Sequence, residues 1–154
     1  MRRKDKELNN SDALQLLRDC EYGVLSTVDD KGQPYGVPLS YTLANDALYF
    51  HCALEGHKLD NIAANQKVSF CVVGRTHLLP AKFSTEFESA IAFGEAVVVQ
   101  GEERYQALVS LLEKYSAECM EEGRAYIEQY DSSTKVVKIE ISTVSGKAAP
   151  AKRA

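Results

Sequence analysis

YGVLSTVDDKGQPYGVPLSYTLANDALYFHCA, Tyr22 to Ala53, reads as three strands folded back on one another. From Tyr22 the apolar period is two: Val24, Ser26 and Val28 fall on one side, Leu25 and Thr27 on the other. Asp29-Asp30-Lys31-Gly32-Gln33-Pro34 is dense in turn formers and makes a hairpin loop. The return strand runs from Tyr35 to Leu43, with Val37, Leu39, Tyr41 and Leu43 on one face. Asn45-Asp46 reverses the chain into a third strand, Leu48 to Ala53. An antiparallel meander of this kind is the start of a sheet or barrel rather than of a β-α-β repeat.

Working outward, residues 1–9 are polar and read as a mobile arm, and Asn10-Ser11-Asp12 supplies caps for a helix with Ala13, Leu16, Leu17 and Cys20 on one face. After the meander, Leu54-Glu55-Gly56 breaks the strand, and His57 to Asn65 predicts a short helix burying Leu59, Ile62 and Ala63. Lys67 to Val73 is a nearly continuous apolar strand. Arg75 to Pro80 has no assignable period, and Ala81 to Phe83 is a candidate short strand. Ser89 to Gln100 predicts a long strand in which Gly94 marks a bulge or a close backbone approach. Glu102 to Tyr115 predicts a helix burying Tyr105, Leu108, Val109 and Leu112. A second helix is expected over Glu121 to Tyr130, a last strand over Thr134 to Thr143, and a basic, flexible tail over residues 146–154. The expectation is one α+β domain, residues 10–145, built on a mostly antiparallel sheet.

Composition narrows the function. The chain has 154 residues, 45% of them hydrophobic, enough for one domain with a real core. Eighteen basic against 22 acidic residues, a formal charge of −4, argue against a nucleic-acid partner. No apolar run approaches the roughly 18–20 residues of a membrane span, and the basic start lacks the apolar stretch of a secretory signal. These features predict a cytoplasmic protein without a membrane partner. Cys20, Cys52, Cys71 and Cys119 show no zinc spacing, so no metal site is expected. Glycine-rich phosphate loops are missing, and Ser40, Ser84 and Ser89 lack the G-x-S-x-G elbow of a hydrolase.

Two segments carry chemistry. In Gly56-His57-Lys58 a glycine is followed by two potential cations at the first positions of a helix, where free N–H groups and the dipole favour an anion such as phosphate. The same pattern also suits a solvated helix start. In Pro34-Tyr35-Gly36-Val37-Pro38-Leu39-Ser40-Tyr41, Pro38 cannot donate to a ladder, which frees backbone groups for a planar heterocycle or protects an edge strand. His51 alternates with Phe50 and Cys52, in phase with Tyr49 and Ala53. A lone strand histidine of this kind is either structural or catalytic. His77 falls in the unassigned connection, and Glu86 and Glu88 alternate as on a solvated face.

Taken in order, Gly32, Pro34, Pro38-Leu39-Ser40-Tyr41, Leu48 to His51, Gly56 to Ile62 and Val68-Ser69-Phe70 resemble the pyridoxamine 5′-phosphate oxidase-related flavin-binding superfamily, most closely its nitroimidazole-resistance (Nim-like) branch. Phe87 to Gly94, Ile139-Glu140-Ile141 and Gly146-Lys147-Ala148 agree, so the resemblance spans residues 10–148. It implies a six-stranded antiparallel split β-barrel with flanking helices, a homodimer holding FMN at the subunit interface. It further implies that Val37, Pro38, Leu39 and Ser40 line the isoalloxazine, partly through backbone groups. His51, Cys52 and Ala53 would follow the ribityl chain and ring, and His57 and Lys58 the phosphate, with Ser89 and Phe93 reaching over from the other subunit. His51 is the candidate catalytic residue. The implied activity is an FMN-dependent oxidoreductase acting on a small-molecule electron acceptor, nitro-aromatic or quinone-like. Rival readings are a non-catalytic flavin carrier or sensor, and a split barrel holding deazaflavin or haem.

The sequence also departs from that pattern. Gly56-His57-Lys58 stands where the oxidases have Ser-Arg-Lys, which leaves a weaker, pH-dependent phosphate ligand. The basic side chains those oxidases use for pyridoxamine phosphate have no counterpart. The Pro-Cys-x-Trp of some Nim-like sequences is absent near Pro80-Ala81-Lys82-Phe83.

Overall fold

In the computed structural model, residues 2–130 and 133–149 are described. Asn9 opens the first helix, its side chain accepting the Asp12 N–H at 2.8 Å, and α1 (Asn10–Asp19) buries Ala13 and Leu17. Alternation then sets β2 (Tyr22–Val28), which follows the two-residue β1 (Glu7–Leu8). Leu25 and Thr27 point inward, as the period of two requires. The Asp29 carboxylate ties the turn by accepting the Lys31 and Gln33 N–H groups at 2.9 and 2.7 Å.

The return strand ends earlier than its sequence suggests. β3 (Pro34–Ser40) stops at Tyr41, and β4 (Thr42–Ala44) begins after it. The reason is tertiary: the Tyr41 N–H donates to the Tyr115 hydroxyl at 2.9 Å, and the Tyr41 hydroxyl donates to Leu17 O at 2.5 Å. Asn45 and Asp46, both at positive φ (50° and 59°), form the two-residue turn into β5 (Ala47–Cys52). α2 (His57–Ala64) buries Leu59, Asn61 and Ile62, while Ala63, expected inside, is exposed. Asn61 goes in because its amide donates to the Thr27 hydroxyl at 2.9 Å, so the helix turns a polar residue toward β2.

β6 (Lys67–Leu79) and β7 (Ser84–Val99) make one long hairpin. The connection without a clear period, Arg75 to Leu79, is strand: a register shift between Val73 and Thr76 interrupts the alternation, and a turn over Pro80–Lys82 replaces the short strand expected at Ala81–Phe83. α3 (Gly101–Tyr115) and α4 (Met120–Gln129) follow, then β8 (Lys135–Ala149). The boundaries at residues 10 and 145 move outward, because Glu7 and Leu8 pair with Lys147 and Gly146 of β8. The rest of the expected tail, residues 150–154, lies outside the described residues.

Among the described residues the eight strands form one antiparallel sheet ordered β3-β2-β6-β7-β8-β5-β4, with β1 on β8. β3, an edge as Pro38 implies, also approaches β5 near the opposite end without pairing to it. The sheet is therefore curled into a split barrel of six long strands and two short ones. One core fills the curl, with Leu17, Leu25, Tyr41, Phe50, Phe70 and Ile139 at its centre. A second lies outside it, where Ala47, Tyr49 and Val136 meet Leu108 and Leu111 of α3 and Ile127 of α4. β5 is thus covered on both faces, which explains why it is apolar throughout rather than alternating.

Candidate functional site

His51 is the exception on β5. Leu48, Phe50 and Cys52 enter the inner core; Ala47 and Tyr49 enter the outer one; His51 continues that outer face past the cover of the helices. Its ring opens into a cavity of about 440 Å³. Crowding by the surrounding atoms penalises the imidazolium and pushes the His51 pKa below its ordinary 6.5. The ring is therefore held neutral near pH 7, with one nitrogen a donor and the other an acceptor.

Ser40, the last residue of β3, lines the same cavity. Alternation along β3 turns Pro38 and Ser40 outward and Val37 and Leu39 onto the inner core. Val37 and Leu39 therefore offer a ligand only backbone groups. Ser40 shares that lining with Tyr115, whose hydroxyl accepts the Tyr41 N–H and lies 2.8 Å from Tyr41 O and 2.5 Å from Glu21 O. One proton serves those two carbonyls by turns. Beside it, the Lys114 ammonium donates to Cys20 O at 2.7 Å and sits 4.0 Å from the Tyr41 ring centre. The end of α3 is thereby hooked to the start of β2 and to the β3–β4 break.

The other end of β3 meets the helix start. The Tyr35 ring lies 4.4 Å from that of His57, with 31° between the planes. Gly56 has φ 140° and ψ 159°, a conformation open to glycine, and the first intrahelical bonds are from the Leu59 and Asp60 N–H groups to Gly56 O. The N–H groups of His57 and Lys58 come before that first acceptor and face outward from the helix end. Lys58 and Lys135, the latter paired in register with Cys52, both bring positive charge toward the Cys52 thiol, although burial pushes that thiol's pKa up. Asp29 is the counter-charge within electrostatic reach of His57.

The structure thus brings together Ser40 with His51, and His57 with Lys58, at the two ends of one strand. Cys52 points inward, and Ala53 lies exposed in the connection to α2. Ser89 and Phe93 do not join this group within the chain. They lie on the outer face of β7, opposite Val73 and Ser69, where Phe93 borders a different hollow with Lys67 and Glu95. The sequence reading also missed the far wall of the cavity: Arg104, Leu111, Tyr126, Ile127 and Tyr130. Arg104 is 7% exposed, its Nε and Nη2 donating to Thr134 O at 3.3 and 2.9 Å. Helical periodicity located α3 and α4, but it could not say which side of the sheet they cover.

A family model described as pyridoxamine 5′-phosphate oxidase matches residues 11–148. None of the curated proteins matches the sequence. Among solved structures, the chain resembles a protein provisionally assigned to 5-nitroimidazole antibiotic resistance from Bacteroides thetaiotaomicron (TM-score 0.77, 22% identity, covering 92% of this chain and 86% of that one). It also resembles a FAD and heme binding protein from Mycobacterium smegmatis (TM-score 0.82, 19% identity, 94% and 73% covered). A third is a FAD-binding protein from Mesorhizobium loti (TM-score 0.68, 22% identity, 94% and 98% covered). At these identities the likeness is one of fold.

Proposed function

The chain belongs to the pyridoxamine 5′-phosphate oxidase family, and on that premise we propose that it is an FMN-binding, homodimeric oxidoreductase acting on a nitro-aromatic or quinone-like acceptor. The observation that carries the reading is β3 itself. Tyr35 at one end touches His57, and Ser40 at the other shares a cavity with His51. Five strand steps separate them, about 17 Å at the usual rise, a reach suited to a flavin mononucleotide laid out from phosphate to ring. FAD in two of the structural relatives supports a flavin, and FMN is the form whose phosphate would end at the helix start.

Within that reading, the His57 and Lys58 N–H groups and the Lys58 ammonium hold the phosphate. Cys52 and Ala53 follow the ribityl chain through their backbone. Val37, Pro38 and Leu39 present backbone along the ring and Ser40 its hydroxyl. His51 hydrogen-bonds the ring edge or hands a proton to the acceptor, its neutral state leaving one N–H to give. Bound FMN supplies the two-electron transfer from NAD(P)H or another donor. The outer sheet face is the dimer surface: Val73, Phe93 and Val24 are 61%, 47% and 36% exposed there, an apolar stripe that a second copy would cover, carrying Ser89 and Phe93 toward the partner's flavin.

An absorbance spectrum of the purified protein, with the released chromophore identified, tests this directly. Oxidised-flavin bands with FMN at one per subunit are expected; a colourless protein that takes up no added FMN would refute it. Lys58→Ala should weaken FMN binding at least about tenfold, the worth of one charge-assisted bond. His51→Ala should slow turnover while leaving FMN bound.

A further inference from the structure

We propose that Lys6, Lys147 and Glu86 hold a reduced nicotinamide dinucleotide, NADH or NADPH, by its pyrophosphate and its adenine, and that this is where the electron donor docks. Its role as donor rests on the flavin and dimer reading above; the binding of the dinucleotide does not.

Pairing of β1 with β8, Glu7 opposite Lys147, carries Lys6 to the end of the sheet. Two ammoniums meet there at one ring: Lys147 Nζ is 5.2 Å and Lys6 Nζ 5.8 Å from the centre of Phe87. Both lysines are half-buried, and neither makes an ion pair among the described residues. The Asp5 carboxylate is taken by Arg3 at 2.5 Å, Glu7 is exposed, and the residues after Ala149 add no acidic side chain. Like charges held side by side repel, and an anion between them relieves the repulsion. A pyrophosphate, with a charge on each phosphate, matches the pair.

Lys6 also borders a hollow of about 480 Å³ with Leu79, Ser84 and Thr85, the scale of a small-molecule site. Glu86 lines this hollow too, and its Oε1 is buried with no hydrogen-bond partner among the described residues. A buried carboxylate oxygen calls for a donor. The adenine amino group is such a donor on a flat body, so the adenosine end suits the hollow while the pyrophosphate stays at Lys6. Arg3, Asp5 and Lys82 line it as well, the first two paired with each other and the third exposed. The other end of the ligand has a direction. Phe87 shares its strand face with Ser89, which lies two residues along, about 7 Å, and pairs in register with Lys147. Ser89 reaches the partner's flavin in the dimer reading, so a dinucleotide held at Lys147 points its nicotinamide toward that ring.

Isothermal titration calorimetry of the full chain with NADH, with and without FMN, tests this. Inorganic pyrophosphate should displace NADH from the wild type, a measurement that needs no variant. Lys6→Gln combined with Lys147→Gln should weaken NADH at least about tenfold, the loss of one charge-assisted bond or more. Lys6→Arg with Lys147→Arg, which keeps both charges, and Lys4→Gln, a neighbouring exposed lysine, should retain binding. The hypoxanthine analogue of NADH carries a carbonyl oxygen in place of the adenine amino group. It should bind the wild type at least about tenfold more weakly, and Glu86→Gln, whose amide also donates, should remove the difference. No displacement by pyrophosphate, unchanged NADH binding in the glutamine pair, an equal loss in Lys4→Gln, or equal affinity of the wild type for the analogue would each overturn the proposal. NADH that binds the FMN-loaded chain as expected without bleaching its flavin would overturn the donor role. A chain that takes up no FMN refutes the flavin reading alone, because the same titrations judge dinucleotide binding without it.

Discussion

Tyr115→Phe removes a single oxygen, and the structure says what that oxygen holds. It accepts the Tyr41 N–H at 2.9 Å, contacts Ser40, and donates to Glu21 O or Tyr41 O at 2.5 and 2.8 Å. Leaving the half-buried Tyr41 N–H without an acceptor costs about 1–3 kcal/mol, and the lost donor adds about 1 kcal/mol. The ring is 40% exposed, so water replaces part of this. A net loss of about 2 kcal/mol is expected, which lowers Tm by roughly 4–8 °C in a chain of this size. The chain has no tryptophan, so circular dichroism during urea and thermal unfolding is the suitable assay. Because Ser40 precedes the backbone break at Tyr41 that this oxygen pins, FMN affinity should fall too. A stability change below about 0.5 kcal/mol would refute the reasoning, since it would mean that Tyr41 and Ser40 hold their positions without Tyr115.

Gly94→Ala should cost about 3 kcal/mol or prevent folding: a Cβ there would lie 2.1 Å from Glu140 O, and backbone cannot step aside as a side chain can. Soluble yield and the urea midpoint report it, and wild-type stability would contradict the close approach. His51 makes stability depend on pH. Its folded pKa lies below the ordinary 6.5, so the unfolded chain takes up the proton first; stability is complete above about pH 6.5 and falls as the pH drops through the folded value. The unfolding free energy should fall less between pH 7.5 and 5.5 in His51→Gln than in the wild type; equal falls would count against a desolvated ring.

Much of the fold was legible because local rules and tertiary demands agree there. Two-residue alternation places β2 and its inward Leu25 and Thr27, and Asn45-Asp46 makes the turn its residue types favour. Gly94 sits at a bulge and at a close backbone contact, the two readings a strand glycine invites. The reading failed where distant residues overrule local preference. Tyr115, 74 positions from Tyr41, ends β3. A register shift near Gly74 hid the second half of β6. Asn61 is buried by a hydroxyl on another element, Thr27.

The candidate site divides the same way. Sequence by itself determined the chemical types available: a glycine and two cations at a helix start, a proline-broken edge strand, and a histidine out of phase with its apolar neighbours. Those are properties of residues a few positions apart, set by backbone geometry and charge. Only the tertiary structure decided that one strand joins these groups, that Val37, Leu39 and Cys52 turn their side chains inward, and that α3 and α4 wall the cavity His51 lines without covering it. The physical reason is the curl of the sheet. It buries β5 on both faces, so which residue is left uncovered depends on where helices from 50 to 80 positions further along come to rest.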